Sequence, residues 1–124
     1  AELVLTMILS AGYTYASDLF EKMEKAQFSS DEEAAKEAEK YTACDLLIID
    51  DLGTELPGQF VTAALYNLVN DRLIAGKSMV ISTNLNVEEM QRRYSPQIAS
   101  RLQGNFGQLI FLGEDIRVLK NRGF

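Results

Sequence analysis

The sequence predicts an α/β fold, a three-layer sandwich in which a mostly parallel β-sheet lies between two layers of helices. Three runs of mainly apolar residues predict buried strands, at residues 45–49, 78–84 and 108–112. Stretches with apolar residues at helical spacing alternate with these strands. Apolar strands that alternate with helices are typical of a parallel sheet covered on both faces. The 124 residues suffice for one domain with one core.

The helices are predicted from apolar spacing and from their capping residues. They span residues 1–12, 17–28, 29–43, 59–76, 86–94, 95–102 and 114–122. The predicted N-caps of four of them are Ser17, Ser30, Asn86 and Ser95. Glu33 lies three residues after Ser30, and Glu89 lies three residues after Asn86. Each of these pairs fits a capping box. Only residues 13–16 remain for a strand between the first two helices, which is unusually short.

The residue types narrow the chemistry and the compartment. Histidine is absent, which removes the commonest general base and the usual zinc ligand. The single cysteine, Cys44, cannot form an internal disulfide, and its position before a strand predicts a small buried apolar residue. No apolar run approaches the roughly 20 residues of a membrane span, and no secretory signal opens the chain. We therefore expect a protein of the reducing cytoplasm with no membrane partner.

The net charge of −6 is unevenly distributed along the chain. Residues 1–60 hold 13 acidic and 4 basic residues, whereas residues 61–124 hold 5 acidic and 8 basic residues, including every arginine. The overall acidity argues against a protein that simply coats nucleic acid. A local basic patch in the second half stays open, with Arg92 and Arg93 as candidate DNA contacts or, alternatively, as part of a solvated helix face.

Two adjacent aspartates, Asp50 and Asp51, end the strand at residues 45–49. Ligands gather at the carboxyl ends of the strands in open parallel sheets. Oxygen ligands without histidine or cysteine favour Mg²⁺, which binds one or two carboxylates together with substrate phosphates. Four apolar residues followed by Asp-Asp have the form of a Walker B motif, in which Asp50 holds Mg²⁺ and Asp51 polarises the attacking water. The alternative is that one aspartate caps a turn and the other is solvated.

The next strand ends in Ser82, Thr83 and Asn84. Asn84 would place a neutral amide beside the acids, suited to a γ-phosphate or its attacking water, and Thr83 is a candidate cofactor-binding residue. A helix N-cap followed by a turn is the alternative. The negative charge that develops on a phosphate needs a positive partner, for which Arg101 and Arg117 are the candidates. A surface arginine without such a role is the alternative for each.

The 124 residues contain no phosphate-binding loop of the GxxxxGK[ST] type. Residues 76–78 spell Gly-Lys-Ser, but Asp71 stands where the first glycine of such a loop would be. This segment also runs from a helix to a strand, which is the wrong direction, so we predict a helix C-cap and a turn. Backbone amides and a lysine must surround the phosphates, and two acids with Mg²⁺ cannot replace them.

Taken together, these motifs resemble the ATPase domain of bacterial replicative helicase loaders, the DnaC/DnaI-like branch of the AAA+ superfamily. The segments that carry the resemblance are "CDLLIIDDLGTE", "ALYNLVNDRL", "GKSMVISTNL", "RRYSPQIASRL" and "FLGEDIRVLK". They occur in this order with the family's spacing, over about residues 15–122. The related transposition-helper ATPases share the architecture, but "IIDDLGTE" and "RYSPQIASRL" resemble the loader branch more closely.

The resemblance implies a P-loop NTPase fold of the AAA+ type, with Asp50 and Asp51 as the Walker B acids and Asn84 as sensor 1. Arg101 matches the arginine finger, which would act on ATP bound to a neighbouring subunit. Arg117 matches the sensor 2-like position. The family would use ATP and Mg²⁺ in an oligomer of its own subunits, and its partners would be a hexameric replicative DNA helicase and single-stranded DNA.

The sequence departs from this family in two places. Family members carry a strand, a P-loop with its lysine and a separate helicase-gripping domain before the helix that opens this chain, so residues 1–124 are expected to be a partial AAA+ core. The family also has a full strand where residues 13–16 lie, so a few residues are expected to be missing near Thr14. A non-catalytic AAA+-like interaction module is therefore the second hypothesis. A receiver-like phospho-acceptor domain is less well supported, because no lysine directly follows residues 108–112.

Overall fold

In the computed structural model, which describes residues 10–107, parallel strands alternate with helices. The strands are β1 (Ala11–Tyr15), β2 (Leu46–Leu52) and β3 (Ser78–Thr83). The helices are α1 (Ala16–Phe28), α2 (Glu32–Ala43), α3 (Gln59–Ala75), α4 (Val87–Arg93) and α5 (Pro96–Asn105). The predicted α/β class with a parallel sheet is confirmed. The predicted strand at residues 108–112 and the helix at residues 114–122 lie outside the described residues.

The strands pair in the order β1-β2-β3, all parallel, so β2 lies in the centre. Side chains alternate between the two faces of a strand. On β2, Leu47 and Ile49 are fully buried, whereas Ile48, on the opposite face, is half-buried. Tyr13 and Val80 pair with Ile48 in register and are about half exposed, at 52% and 51%. Within residues 10–107, the helices therefore cover one face of the sheet much more completely than the other.

One hydrophobic cluster joins the buried face of the sheet to the helices. It includes central residues of β2 and residues of α1, α3, α4 and α5. Its members that are at most 1% exposed are Ala16, Leu19, Leu47, Ile49, Leu52, Leu65 and Ile98. The predicted buried state of Cys44 is confirmed, since it is 7% exposed in the same cluster. This core fixes the strand ends of β2 and β3 relative to α4 and α5.

Several predicted helix boundaries are confirmed. Asn86 caps α4 in a capping box with Glu89, and the Ser95 hydroxyl accepts the N–H of Ile98 at the start of α5. Helix α3 ends at Gly76, whose φ of 70° is the left-handed conformation that glycine adopts readily. Lys77 joins Gly76 to β3, which begins at Ser78, so the start of the Gly-Lys-Ser sequence is a C-cap and turn, as predicted.

Two predictions near the first strand are wrong. Ala11 and Gly12, assigned to the end of a helix, belong to β1, because Ala11 pairs with Leu46 at the start of the ladder. β1 is therefore a full five-residue strand, and the shortness that suggested missing residues near Thr14 is not seen. Helix α1 begins at Ala16, so its N-cap is Tyr15, not Ser17.

The predicted capping box at the start of α2 is also wrong. Asp31 is the N-cap, and its Oδ1 accepts the N–H groups of Glu33 and Ala34 at 3.1 Å each. An N-cap needs an extended backbone, which Asp31 has, whereas Ser30 has a φ of 51°. Ser30 is therefore in a left-handed turn, one residue before the N-cap position that Asp31 occupies.

The buried Arg72 ties several chain segments together. This residue of α3 is 1% exposed, and its Nη1 donates to the carbonyl oxygens of Thr42 and Cys44 at 2.9 and 2.8 Å. Its Nη2 donates to the carbonyl oxygen of Ser78 at 2.7 Å. The guanidinium therefore joins the end of α2, the chain leading into β2 and the first residue of β3.

Within residues 10–107, no helix is both long and apolar enough to cross a membrane.

Candidate functional site

The two aspartates form a β-bulge at the end of β2, so the prediction that the strand stops at Ile49 is wrong. Asp50 and Asp51 stand opposite a single residue of β3, Ser82. The flanking pairs in register are Ile49 with Ile81 and Leu52 with Thr83. Asp51 has a φ of 56°, a left-handed conformation that aspartate tolerates better than most residues. A bulge interrupts the alternation of side chains and re-aims them, which is common beside active sites.

Ser82 holds both aspartates of the bulge. Its Oγ accepts the backbone N–H of Asp51 at 2.9 Å and donates to Oδ1 of Asp50. The hydroxyl of Tyr13, on β1, donates to Oδ2 of Asp50 at 2.5 Å. Both carboxylate oxygens of Asp50 therefore accept a hydrogen bond from a neighbouring strand. From the sequence, Ser82 was predicted to lie at a strand end, but no role was assigned to it. The hydrogen bond from Tyr13 depends on the register between β1 and β2, which no sequence pattern revealed.

These hydroxyl groups change the acidity of the site. The hydrogen bond from Ser82, and then that from Tyr13, lowers the pKa of Asp50 below its ordinary value because both stabilise the carboxylate. The hydrogen bond between Tyr13 and Asp50 also raises the pKa of the Tyr13 hydroxyl, since loss of its proton would place two negative charges together. Asp50 is therefore ionised at neutral pH.

Hydroxyl groups, not cations, are the partners of Asp50 within residues 10–107. The ion pairs found there are Lys22–Glu37, Lys25–Glu21 and Arg93–Glu55. In the same part of the chain, no three side chains of histidine, cysteine, aspartate or glutamate come together as a metal cluster. The donor set nevertheless fits Mg²⁺, which takes hard oxygen ligands, often only one or two carboxylates completed by phosphate and water.

The loop after the bulge is tightly constrained at Gly53. Its φ is 108°, and a Cβ placed there would lie 2.9 Å from Cγ and Cδ1 of Leu85, the second residue after β3. A side chain at this position would therefore strain the backbone and would force Leu85 to move. The Thr54 hydroxyl donates to the carbonyl oxygen of Asp51 at 2.8 Å. The chain thus leaves β2 in a defined turn at Gly53, which the Thr54–Asp51 hydrogen bond closes.

Thr83 and Asn84 lie at the neighbouring strand end, where they were predicted. The Thr83 hydroxyl donates to the carbonyl oxygen of Leu52 at 2.6 Å and accepts the N–H of Leu85 at 3.1 Å. Both of these bonds are to the backbone, so Thr83 helps to hold the two strand ends together. Asn84 is the first residue after β3, and its side chain is exposed. A cofactor-binding role of Thr83 and a catalytic role of Asn84 stay predictions.

Of the two predicted arginines, the structure describes one, Arg101. Arg101 is on α5 and is exposed, which suits a group that reaches a neighbouring subunit. That role needs a second copy of the chain and stays a prediction. Arg117 lies outside the described residues. The interpretation of Arg93 as part of a solvated face is wrong, because it is half-buried and paired with Glu55, whereas Arg92 is exposed.

A polar cluster that the sequence did not reveal lies beside the bulge. Glu55 is 5% exposed, and its carboxylate accepts hydrogen bonds from the hydroxyl of Tyr94 and the guanidinium of Arg93. Burial, and then the Glu55 hydrogen bond, raises the pKa of the Tyr94 hydroxyl. A glutamate in a predicted loop gives no sequence signal of burial, since glutamate is rarely buried unless it is paired.

Two comparisons with known proteins agree with this geometry. The family model described as "IstB-like ATP binding protein" matches residues 8–101. No curated protein matches the chain. Among solved structures, the crystal structure of the DnaC helicase loader matches with a TM-score of 0.73 and 17% sequence identity. The match covers 86% of this chain and 63% of the loader chain, so this chain spans less than two thirds of the loader's length. The match shows that this chain shares the fold of the loader, in agreement with the predicted fold class.

Proposed function

Because this chain belongs to the family of IstB-like ATP-binding proteins, we propose that it is the ATPase part of a bacterial replicative helicase loader. In this proposal it is a Mg²⁺-dependent switch that hydrolyses ATP in an oligomer. The observation that carries the proposal is the bulge at Asp50 and Asp51, which presents two carboxylates at the carboxyl edge of the sheet and is held by Ser82. This is the edge where α/β proteins bind their ligands.

Asp50 is the proposed Mg²⁺ ligand. The hydrogen bonds from Ser82 and Tyr13 keep its carboxylate ionised and orient both oxygens. In phosphoryl-transfer sites, Mg²⁺ bridges phosphate oxygens and neutralises their negative charge. Coordination at one Asp50 oxygen would leave the hydroxyl of Ser82 or Tyr13 as a neighbouring donor that fixes the carboxylate plane.

Asp51 is the proposed residue that polarises the attacking water. It lies in the bulge with a φ of 56°, and its side chain is exposed, so its carboxylate is open to a water molecule or a ligand. Asn84 would orient the same water or the γ-phosphate. Thr83 would help to bind the nucleotide at the same edge of the sheet. Arg101 of a neighbouring subunit and Arg117 would stabilise the charge that develops on the phosphate.

The phosphates also need backbone amides and a lysine, which the 124 residues do not supply as a GxxxxGK[ST] loop. We propose that the whole protein carries this loop, so that residues 1–124 are a partial AAA+ core. The partners would be a replicative helicase hexamer, single-stranded DNA and further copies of this chain, in the cytoplasm. The likeness in fold to a helicase loader supports this assignment.

Two other functions are compatible with the same fold. A transposition-helper ATPase shares the architecture, and the family description does not distinguish it from a loader. A non-catalytic interaction module would keep the fold without hydrolysis. Co-purification with a replicative helicase hexamer would favour the loader, whereas co-purification with a transposase would favour the helper.

ATP binding and hydrolysis by the full-length protein test the proposal directly. A fluorescent ATP analogue should bind more tightly with Mg²⁺ than without it. Asp51→Asn should leave the dissociation constant within about twofold and lower kcat by about 100-fold or more, because an activating group makes its contribution in the transition state. Asp18→Asn, at an exposed acid in the first turn of α1, is the matched control and should hydrolyse ATP normally.

Two results would contradict the proposal. A folded full-length protein that binds no ATP analogue would leave the interaction module as the better hypothesis. Normal turnover by Asp51→Asn would remove Asp51 from its role while leaving the ATPase assignment intact.

A further inference from the structure

Glu55 receives hydrogen bonds from two separate parts of the chain. Its Oε1 and Oε2 accept the N–H of Gly53 at 3.2 and 3.1 Å, within its own loop. Its Oε1 also accepts the hydroxyl of Tyr94 at 2.6 Å, and its Oε2 accepts Nη2 of Arg93 at 3.1 Å. The same Nη2 donates to the backbone carbonyl oxygen of Glu55. Side chain and backbone of one residue are thus held together at a site that is almost closed to water.

The segments joined by Glu55 are the turn after the bulge and the junction of α4 with α5. Glu55 lies four residues after Asp51, in the turn held by Gly53. Arg93 is the last residue of α4 and Tyr94 is its C-cap, next to the residue that caps α5. Arg101 lies on α5, five residues after its first residue, or roughly 7.5 Å along the helix axis.

Stability alone is a weak explanation for this cluster. A buried ion pair must offset the cost of removing both charges from water, and an apolar set of similar volume is often at least as stable. The ring of Tyr94 already packs in the core with Ile98 and Ala99. What the polar cluster adds is a fixed geometry, since several directional bonds converge on one carboxylate.

We propose that Glu55 is a positioning residue for ATP hydrolysis, because it sets the turn after Asp50 and Asp51 relative to the helix that carries Arg101. This inference rests on the proposed function. A displacement of the turn when nucleotide and Mg²⁺ bind would be passed through Glu55 to the α4–α5 junction. The cluster would thereby link the Mg²⁺ edge of one subunit to the arginine that it offers to its neighbour.

Tyr94→Phe and Glu55→Gln in the full-length protein test this role. Tyr94→Phe removes one hydroxyl and keeps the ring, and Glu55→Gln removes the charge and keeps the shape. Both variants should bind the fluorescent ATP analogue within about twofold of wild type, with kcat lowered about 10- to 100-fold, as expected for misplaced groups. Combining them should lower kcat no further than the stronger single variant, because both changes break the same linkage.

The matched control is Tyr66→Phe, at a half-buried tyrosine of α3, which should keep wild-type kcat. Amide hydrogen exchange gives a second measurement. If Glu55 had a purely structural role, loss of the Tyr94 hydroxyl would not abolish the effect of ATP on the exchange of α5 amides. ATP with Mg²⁺ should change the exchange of α5 amides in wild type and leave them unchanged in Tyr94→Phe, although that variant still binds the nucleotide.

The outcomes separate the two proposals. If the wild-type protein hydrolyses ATP and both variants have the same kcat as wild type, the role of Glu55 is overturned and the proposed function is not. A loss of kcat that disappears after correction for the folded fraction would also overturn that role, since the cluster would then be merely structural. A folded wild-type protein without ATP binding would overturn the proposed function, and this inference with it.

Discussion

At the level of single residues, the side-chain donors that bind the Asp50 carboxylate are neutral. The adjacent aspartates suggest a need for a cation, yet the described partners of Asp50 are the hydroxyls of Ser82 and Tyr13. Hydroxyl donors stabilise a carboxylate without neutralising it, so its charge stays available for a cation, which we propose to be Mg²⁺. The bulge also gives Ser82 a second task, since its Oγ accepts the N–H of Asp51.

Removal of the Ser82 hydroxyl should raise the pKa of Asp50 toward the ordinary aspartate value, because this hydroxyl is the largest cause of the lowered pKa. A group whose pKa is lower in the folded state stabilises the fold above its unfolded-state pKa of about 4. That stabilisation is lost as the pH falls through the folded-state pKa. The free energy of unfolding of Ser82→Ala should therefore be below that of wild type at pH 7, and the difference should shrink below about pH 4.

Carboxyl NMR titration of Asp50 and urea unfolding at each pH would measure these two effects. Ser82→Thr is the matched control, because it keeps a hydroxyl at the same position and should retain most of the lowered pKa. An unchanged Asp50 pKa in Ser82→Ala would contradict the assignment of Ser82 as its main hydrogen-bond donor.

At the level of secondary-structure elements, Arg72 takes the place of a hydrophobic residue in the core. Its neighbours are backbone carbonyl groups at the end of α2 and at the starts of β2 and β3. The sequence counts Arg72 only as one of the basic residues of the second half. The structure shows that its guanidinium serves the fold, since it donates to carbonyl oxygens at these junctions, of which that of Cys44 is buried.

Replacement of Arg72 should destabilise the junction of these elements. Arg72→Met keeps an apolar chain of moderate length but leaves at least three carbonyl groups without their donor. We expect the free energy of unfolding to fall by about 2 kcal/mol or more, at roughly 1–3 kcal/mol for a buried group left unpaired, such as the Cys44 carbonyl group, and less for the part-buried ones. Urea unfolding would measure the loss. Arg92→Met, at an exposed arginine, should change stability by no more than about 0.5 kcal/mol. Equal stability of the two variants would contradict this role.

The element boundaries show where local sequence was sufficient. The Asn86 and Ser95 caps and the Gly76 C-cap were predicted, because each depends on atoms within a few residues along the chain. The start of β1 was not predicted, since residues 11 and 12 become a strand by pairing with β2, more than 30 residues away. Partners at such separation override a local helical pattern.

At the level of the whole molecule, the proposed arginine-finger role of Arg101, which is exposed on α5, would make one chain an incomplete catalytic unit. If Arg101 acts on ATP bound to a neighbour, turnover per subunit of the full-length protein should rise with protein concentration. Arg101→Ala should bind the ATP analogue normally and lose this concentration-dependent turnover by about 10³-fold or more. Arg92→Ala is the matched control.

Mixing the variants would distinguish action across subunits from action within one. Asp51→Asn subunits keep the arginine, and Arg101→Ala subunits keep the acid, so mixed oligomers should regain part of the turnover that each variant lacks. Mixtures as inactive as their components would contradict the proposed action between subunits and assign the arginine-finger role to another residue.

The sequence alone determined the fold class, most element positions and the acidic pair at a strand end, because apolar spacing, caps and adjacent charges are local properties. The tertiary structure decided that Asp50 and Asp51 form a bulge opposite Ser82, since strand register depends on pairing between distant segments. It also decided that Glu55 is buried with Arg93 and Tyr94, which lie 38 and 39 residues further along the chain. A carboxylate is buried only where partners converge on it, and that convergence exists only in the folded chain.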